Sequence, residues 1–157
     1  MAAGENAIPE GYPQVTPYLI VDGAAAAIDF YTSVLGATER MRMPGPDGKL
    51  GHAELMLGDS LIMLADEHPE MGQRSPHAVG GTPVTISAYV EDVDAVFARA
   101  VARGATALRQ PEDQFYGDRS GQFEDPFGHR WSVASRVEDV PPDEMMRRAA
   151  AMSGGQP

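Results

Sequence analysis

The sequence predicts an α+β fold built from two repeated βαβββ modules and a C-terminal helix. Short strand-like apolar runs alternate with two helical stretches that carry an apolar stripe. The order strand, helix, strand, strand, strand occurs twice along the chain. Aligning Val21 with Val90 also brings two "GAT" triplets together, at residues 36–38 and 104–106, with a single-residue gap. We therefore interpret the chain as an internal duplication.

The first module begins with "VTPYLIV", a β-branched and aromatic run ahead of a turn at Asp22 and Gly23. The stretch "AAAAIDFYTSVLGA" is predicted to be an amphipathic helix that ends at Gly36. Three strands follow, "ATERMRM", "KLGHAELML" and "LIMLA", separated by the turn sequences "PGPDG" and "GDS". The helical apolar stripe consists of Ala27, Phe30, Tyr31, Val34 and Leu35.

The second module repeats these elements. "VTISAYV" is a predicted strand, Asp92 is a good N-cap, and "VDAVFARAVARGA" is a helix closed by Gly104. "TALRQ", "RSGQFED" and "RWSVAS" are the three further strands. Between the last two, "PFG" predicts a rigid hairpin turn, because proline fixes its own φ and glycine permits a positive φ. Alternation then places Trp131 and Val133 on one face and Ser132 on the other.

Composition changes set the predicted boundaries. The tail "PPDEMMRRAAAM" has proline at its start, acids in its first turn and later arginines, which favours a helix. The predicted segments are a flexible N-terminus at 1–11, the first module at 12–67, a linker at 68–81, the second module at 82–138, the C-terminal helix at 139–152 and a flexible tail at 153–157.

Charge and composition exclude several classes of function. With 12 Lys and Arg against 23 Asp and Glu, the formal net charge of -11 repels phosphate backbones and anionic lipid. The absence of cysteine removes disulfides, thiolate nucleophiles and thiolate metal sites. No apolar run reaches the roughly 20 residues that span a bilayer, and the N-terminus lacks the pattern of a signal peptide. We expect a cytoplasmic protein that binds neither nucleic acid nor membranes.

Four stretches carry a family resemblance: "IDFYTSVLGA", "FEDPFGHRWSV", "GHAELMLGDSLIMLADE" and "VEDVPPDEMMRRAAAM". Together they resemble the vicinal oxygen chelate superfamily, which includes glyoxalase I, extradiol dioxygenases and bleomycin-binding proteins, and more narrowly its glyoxalase-like bacterial branch. The resemblance implies cupped mixed sheets with helices on the outside, a small-molecule cavity and a homodimer.

The resemblance also implies where a metal would bind. In metal-dependent members the ligands come from the first and last strand of each module, and here those four positions hold Thr16, Met63, Thr85 and Ser132. None of the four is a histidine or a carboxylate, the side chains that divalent metals of this kind need. We therefore predict no metal and no cofactor.

His52 and Glu54 lie two residues apart on a predicted strand, so their side chains share a face. The pair is the candidate for acid–base chemistry or for two ligands of an unconventional metal site, although a solvated or cross-strand pair has the same pattern. Arg119, close to Phe115 and Tyr116, would either anchor an anionic ligand group or be an ordinary surface arginine. The catalytic residues stay unassigned at this point.

The predicted function is binding of a small organic ligand, aromatic or cationic, without a metal. The alternatives are a metal-dependent lyase, isomerase or dioxygenase that uses unconventional ligands, and a dimeric structural or regulatory protein with a closed cup. The predicted ligand-binding residues are Thr16, Tyr18, His52, Glu54, Met63, Thr85, Ser87, Tyr89, Arg119 and Ser132.

Overall fold

A computed structural model describes residues 6–154. The described chain divides into two compact units, with the boundary between Gly81 and Thr82. Each unit contains one four-stranded sheet, and each is described by itself below. Parts of the predicted flexible N-terminus and tail lie outside the described residues.

The first unit has the predicted strand and helix order, and its sheet has the strand order β1-β4-β3-β2. β1 pairs in parallel with β4, and the other pairs are antiparallel. β1 begins three residues later than predicted because Pro17 has no N–H to donate, although its carbonyl still accepts from the Met63 N–H at 3.0 Å. The elements are β1 (Tyr18–Val21), α1 (Ala24–Leu35), β2 (Thr38–Pro44), β3 (Leu50–Leu57) and β4 (Ser60–Asp66).

The start of α1 is capped by a residue from the end of β4. The N-cap, Gly23, has no side chain, and Asp66 accepts hydrogen bonds from Gly23 N at 3.0 Å and Ala24 N at 2.8 Å. Asp66 also accepts from Leu50 N at 2.8 Å. A carboxylate at a helix N-terminus satisfies free N–H groups and complements the helix dipole. This single side chain therefore joins α1, β3 and β4.

The segment that follows β4 contains local structure that the sequence did not predict. It forms a 3₁₀ turn (Pro69–Met71) and a four-residue helix, α2 (Pro76–Val79). Ser75 caps α2 and is itself buried, and its hydroxyl and N–H both donate to Glu67. A serine N-cap followed by proline at the first helical position explains why a helix begins here.

The second unit repeats the topology of the first, with the strand order β5-β8-β7-β6 and a parallel pair between β5 and β8. This repetition confirms the predicted α+β fold of two βαβββ modules with a C-terminal helix. Among residues 6–154, no helix is both long and apolar enough to cross a bilayer. The elements are β5 (Thr85–Tyr89), α3 (Val93–Ala102), β6 (Thr106–Asp113), β7 (Asp118–Glu124), β8 (Arg130–Arg136) and α4 (Pro142–Gly154).

The turn between β7 and β8 is organised by one buried carboxylate. Asp125 is 3% exposed, and its Oδ1 accepts from the N–H groups of Phe127 and His129, both at 2.9 Å. Its Oδ2 accepts from the indole Nε1 of Trp131 at 2.9 Å. Gly128 takes the positive φ of 90° that the turn requires. Trp131 is fully buried, in agreement with the predicted strand phase.

Candidate functional site

Each sheet has a helix-covered face and an opposite face, which we call the open face. In the first sheet the covered face carries Ala53, Leu55 and Leu64, all fully buried against α1. Residues that pair across neighbouring strands lie side by side on the same face. The pairing register therefore forms one row across the open face, which consists of Tyr18, Met63, Glu54 and Met41.

Glu54 is the buried charge of this row, with 3% of its surface exposed. Its carboxylate accepts from the Tyr12 hydroxyl at 3.0 Å and from His52 Nε2 at 2.8 Å, and Arg40 Nε lies 3.7 Å away. Burial acts to raise the pKa of Glu54, but the hydrogen bonds from His52 and Tyr12 and the charge of Arg40 outweigh burial and lower the pKa. Glu54 is therefore an anion at neutral pH.

Arg40 reaches Glu54 because the pairing of β2 with β3 shifts by one residue between Glu39 and Met41. A β-bulge of this kind redirects side chains, and the alternation of the sequence does not reveal it. The Arg40 guanidinium lies over the ring of Tyr12, 4.6 Å from the centroid, and Nη1 donates to the Gly11 carbonyl at 3.2 Å. The bulge thus attaches the segment around Tyr12 to the open face beside Glu54.

A directed chain of hydrogen bonds runs from Glu54 to the surface. Because an ionised carboxylate only accepts hydrogen bonds, Nε2 of His52 carries the hydrogen that it shares with Glu54. When the ring is neutral, Nδ1 is the acceptor and the Tyr18 hydroxyl donates to it at 2.8 Å. The pKa of Tyr18 is raised mainly by burial and to a smaller extent by the negative charge of Glu54, so the phenol stays protonated. Tyr18 is 44% exposed, and its oxygen still has lone pairs that can accept.

The residues present do not fit the metal site that the family resemblance implies. At the four ligand positions, two threonine hydroxyls, a thioether and a serine hydroxyl supply neither imidazole nor anionic oxygen. Both ring nitrogens of His52 are already hydrogen-bonded. Across residues 6–154 there is no group of three or more His, Cys, Asp or Glu side chains that could hold a metal ion.

The second sheet carries a chemically different row at the corresponding place. Ser87 pairs with Ser132, which in turn neighbours Gln122, and Gln122 neighbours Arg109. Thr85 lies on the same face as Ser87, two residues earlier on β5. In the first module Met41 lies beside the anion Glu54, whereas in the second the cation Arg109 lies beside the neutral amide of Gln122. Arg109 donates to Ser120 Oγ at 3.1 Å.

Two predicted ligand-binding residues of the second unit have other partners. Arg119 lies on the side of the sheet that α3 covers, where it donates to both Asp94 oxygens at 2.9 and 3.0 Å and to Asp113 at 3.2 Å. These bonds raise its pKa, and they occupy the guanidinium that was expected to anchor an anionic ligand. Arg119 is therefore removed from the candidate site. Tyr89 lies on the open face and donates to Asp118 at 2.7 Å.

The structure thus brings together Tyr18, His52, Glu54 and Met63 on the first sheet. Sequence reasoning missed Tyr12, because it lies at the edge of a segment predicted to be flexible. It also missed Arg40, whose position depends on the bulge. Met41 was missed for the same reason, because the shift between Glu39 and Met41 decides which face it lies on.

Comparisons with known proteins agree with this architecture. The profile of the glyoxalase/bleomycin resistance protein/dioxygenase superfamily matches residues 12–133. The uncharacterized protein Mb0911c of Mycobacterium bovis is 48% identical over 146 residues, which cover 91% of this chain and 96% of that protein. The anthracycline biosynthesis protein DnrV of Streptomyces peucetius is 30% identical over 125 residues, which cover 78% of this chain and 41% of DnrV.

Solved structures show the same fold. Protein PA1353 from Pseudomonas aeruginosa has a TM-score of 0.68 and 26% identity, with 81% of this chain and 100% of that chain covered. TioX from Micromonospora has a TM-score of 0.61 and 24% identity, with 80% of this chain and 100% of that chain covered.

Proposed function

Because the chain belongs to the glyoxalase/bleomycin resistance protein/dioxygenase superfamily, we propose that it binds a small organic amine, without a metal, on the open face of its first sheet. The ligand has a flat apolar body and a hydrogen-bond donor that meets the Tyr18 oxygen. The proposal covers binding and assigns no reaction, because the fold by itself confers none.

The geometry that carries the proposal is the hydrogen-bond chain from Glu54 through His52 to Tyr18, with the His52 ring neutral. Glu54 accepts from His52, and His52 accepts from Tyr18, so the chain presents an acceptor at its exposed end. The buried anion polarises each bond toward itself, which favours a donor with positive charge at Tyr18. A protonated amine satisfies both conditions, whereas a carboxylate or phosphate satisfies neither.

The surroundings of Tyr18 suit an apolar ligand body. Met63 and Met41 lie on the same row as Glu54, and Met43 pairs with His52 one row away. Thioether side chains adapt to flat rings and contact them favourably. The net charge of -11 adds a long-range attraction for cations. The family name and the name of DnrV both refer to organic compounds, bleomycin and anthracycline.

Titration of protein carrying ¹³C-methyl methionine tests the proposal, because Met41 and Met63 report on this face. The probe is 9-aminoacridine, a flat cation at neutral pH, and its uncharged analogue acridine is the matched ligand. We expect the Met41 and Met63 signals to shift with 9-aminoacridine. Tyr18→Phe, which removes the acceptor, should weaken binding about tenfold, the equivalent of one hydrogen bond.

Tyr89→Phe is the matched control, since it removes a phenol hydroxyl from the other module and should leave the affinity measured at Met41 unchanged. Equal affinities for acridine and 9-aminoacridine at this face would refute the proposed recognition, as would an unchanged affinity in Tyr18→Phe.

The metal-dependent alternative is tested separately by elemental analysis of protein purified without added metal. Its two proposed ligands, His52 and Glu54, bond to one another at 2.8 Å instead of presenting free donors. We expect no stoichiometric transition metal. One that EDTA removes would overturn the metal-free proposal.

A further inference from the structure

A separate cavity of about 300 Å³ lies wholly within the second unit, at the end of its sheet and beside α4. This volume is at the lower end of the range for small-ligand pockets. Neither the hydrogen-bond chain of Tyr18 nor any residue of the first sheet contributes to it. Six of the residues that line it are Tyr89, Phe115, Tyr116, Asp118, Arg136 and Met145.

The cavity wall formed by the loop between β6 and β7 is held in place from two directions. The Gly117 carbonyl accepts from Val137 N at 2.9 Å and Glu138 N at 3.0 Å. The backbones approach so closely that a Cβ on Gly117 would lie 2.2 Å from the Glu138 carbonyl oxygen. From α4, Arg148 donates to the Phe115 carbonyl at 3.0 Å and to Glu138 at 2.7 Å. The walls are therefore built by specific contacts.

Charge pairing leaves one carboxylate of the cavity available. Glu138 forms an ion pair with Arg148, and Asp139 lies 4.0 Å from the guanidinium of Arg136. Asp118 is only 8% exposed, and among residues 6–154 no cation lies within 4.0 Å of its carboxylate, although Arg136 pairs with it across β7 and β8. Its one side-chain hydrogen bond within the described chain comes from Tyr89 at 2.7 Å. An ionised carboxylate can accept several more.

Three aromatic side chains line the same cavity as this carboxylate. Tyr89 contacts it directly, and the rings of Phe115 and Tyr116 meet edge to face, with centroids 5.2 Å apart and planes at 90°. Ring faces attract cations, and the attraction grows where water is excluded. A buried carboxylate and several aromatic rings that line one cavity are a combination suited to an organic cation.

We propose that this cavity binds a small organic ammonium ion, with an N–H group on Asp118 and the rings of Tyr89, Phe115 and Tyr116 around the cation. The cavity excludes an inorganic divalent ion as its main ligand, because it offers a single unpaired carboxylate. The site is independent of the ligand proposed for the first sheet.

Met145 lines the cavity and serves as the reporter in the ¹³C-methyl methionine experiment. The probe is phenethylammonium, and the neutral isostere is 2-phenylethanol, in which a hydroxyl replaces the ammonium group. We expect the Met145 signal to shift on addition of phenethylammonium up to about 10 mM, a range that detects weak affinities. Asp118→Asn keeps the shape and an acceptor for Tyr89, and it should weaken binding at least about tenfold by removing the charge.

Asp139→Asn is the matched control, because this carboxylate lies in the same wall but faces Arg136. It should leave the affinity within about threefold of wild type, as expected for an exposed ion pair. Glu54→Gln should also leave the Met145 titration unchanged, which separates this site from the first-sheet site.

The proposal is overturned if Met145 does not respond, if the alcohol binds as well as the ammonium, or if folded Asp118→Asn, checked by its melting temperature, binds like wild type. Tyr116→Leu provides a second test, with an expected loss of about tenfold through the missing ring.

Discussion

Replacing Asp125 with alanine should destabilise the second unit more than any surface substitution near it. The carboxylate receives three hydrogen bonds, from the N–H groups of Phe127 and His129 and from the indole of Trp131, each at 2.9 Å. Alanine would leave all three donors without this acceptor, in a place where Asp125 is 3% exposed and Trp131 is fully buried.

The expected loss can be worked out from these contacts. A hydrogen bond to a charged group contributes about 1.5–3 kcal/mol, which would give roughly 4.5–9 kcal/mol if the three bonds were additive. Bonds to one carboxylate are not independent, and removing the buried charge also removes its desolvation cost. We therefore expect the free energy of unfolding to fall by about 4 kcal/mol.

Urea denaturation followed by far-UV circular dichroism measures this change. Glu124→Ala is the matched control, since the neighbouring side chain is 33% exposed and lies 3.9 Å from Arg130, so it should cost less than about 1 kcal/mol. Asp125→Asn should fall between the two, because the amide can still accept from the backbone but would face Trp131 Nε1 with a second donor. A loss below about 1 kcal/mol in Asp125→Ala would refute this account of the turn.

Four further predictions concern packing, the open faces and assembly. Trp131→Ala should lower the free energy of unfolding by about 3–5 kcal/mol through cavity formation, and an unchanged melting temperature would contradict the assigned strand phase. Ser132→Ala should change stability by less than about 1 kcal/mol in the same denaturation assay, since one neutral hydrogen bond at most is lost. Because the pKa of Glu54 is lowered, its contribution to stability is complete above pH 4.5, the ordinary pKa of the group, and is lost as the pH falls below that value. Urea denaturation at a series of pH values across this range should show a steeper loss of stability in acid for wild type than for Glu54→Gln. Parallel curves would contradict the lowered pKa. We also propose a homodimer with an interface above roughly 2,000 Å²; light scattering should give twice the chain mass, and the monomer mass at micromolar concentration would count against it.

The fold was predictable because its signals are local and repeated. The apolar stripe of α1 predicts which side of the helix is buried, and the alternation around Ala53 and Leu55 does the same for β3. The start of β1 was misplaced by three residues because Pro17 reads as part of an extended run yet cannot donate within the sheet. The short helix α2 was missed because four residues are too few to show a period.

The candidate site was predictable only in part, because its most informative contacts join distant residues. Alternation placed His52 and Glu54 on one face, but the bond from Tyr12 spans 42 positions. The bulge that brings Arg40 to Glu54 has no signature in the alternating pattern. Arg119 was assigned to the ligand face because Phe115 and Tyr116 are close to it in sequence. Its position in the alternation of β7 instead places its side chain on the face covered by α3, where it donates to Asp94.

The parallel pairing of β1 with β4 has a consequence for biosynthesis. In the first sheet, β1 is an edge strand whose sheet neighbour is β4, and Tyr18 pairs with Met63 across a long intervening segment. Such non-local pairing carries a loop-closure cost and slows folding. During translation, the strand around Tyr18 therefore leaves the ribosome well before its partner exists. The same delay recurs for β5, which pairs with β8, so each half of the nascent chain exposes an unpaired strand until its last strand emerges.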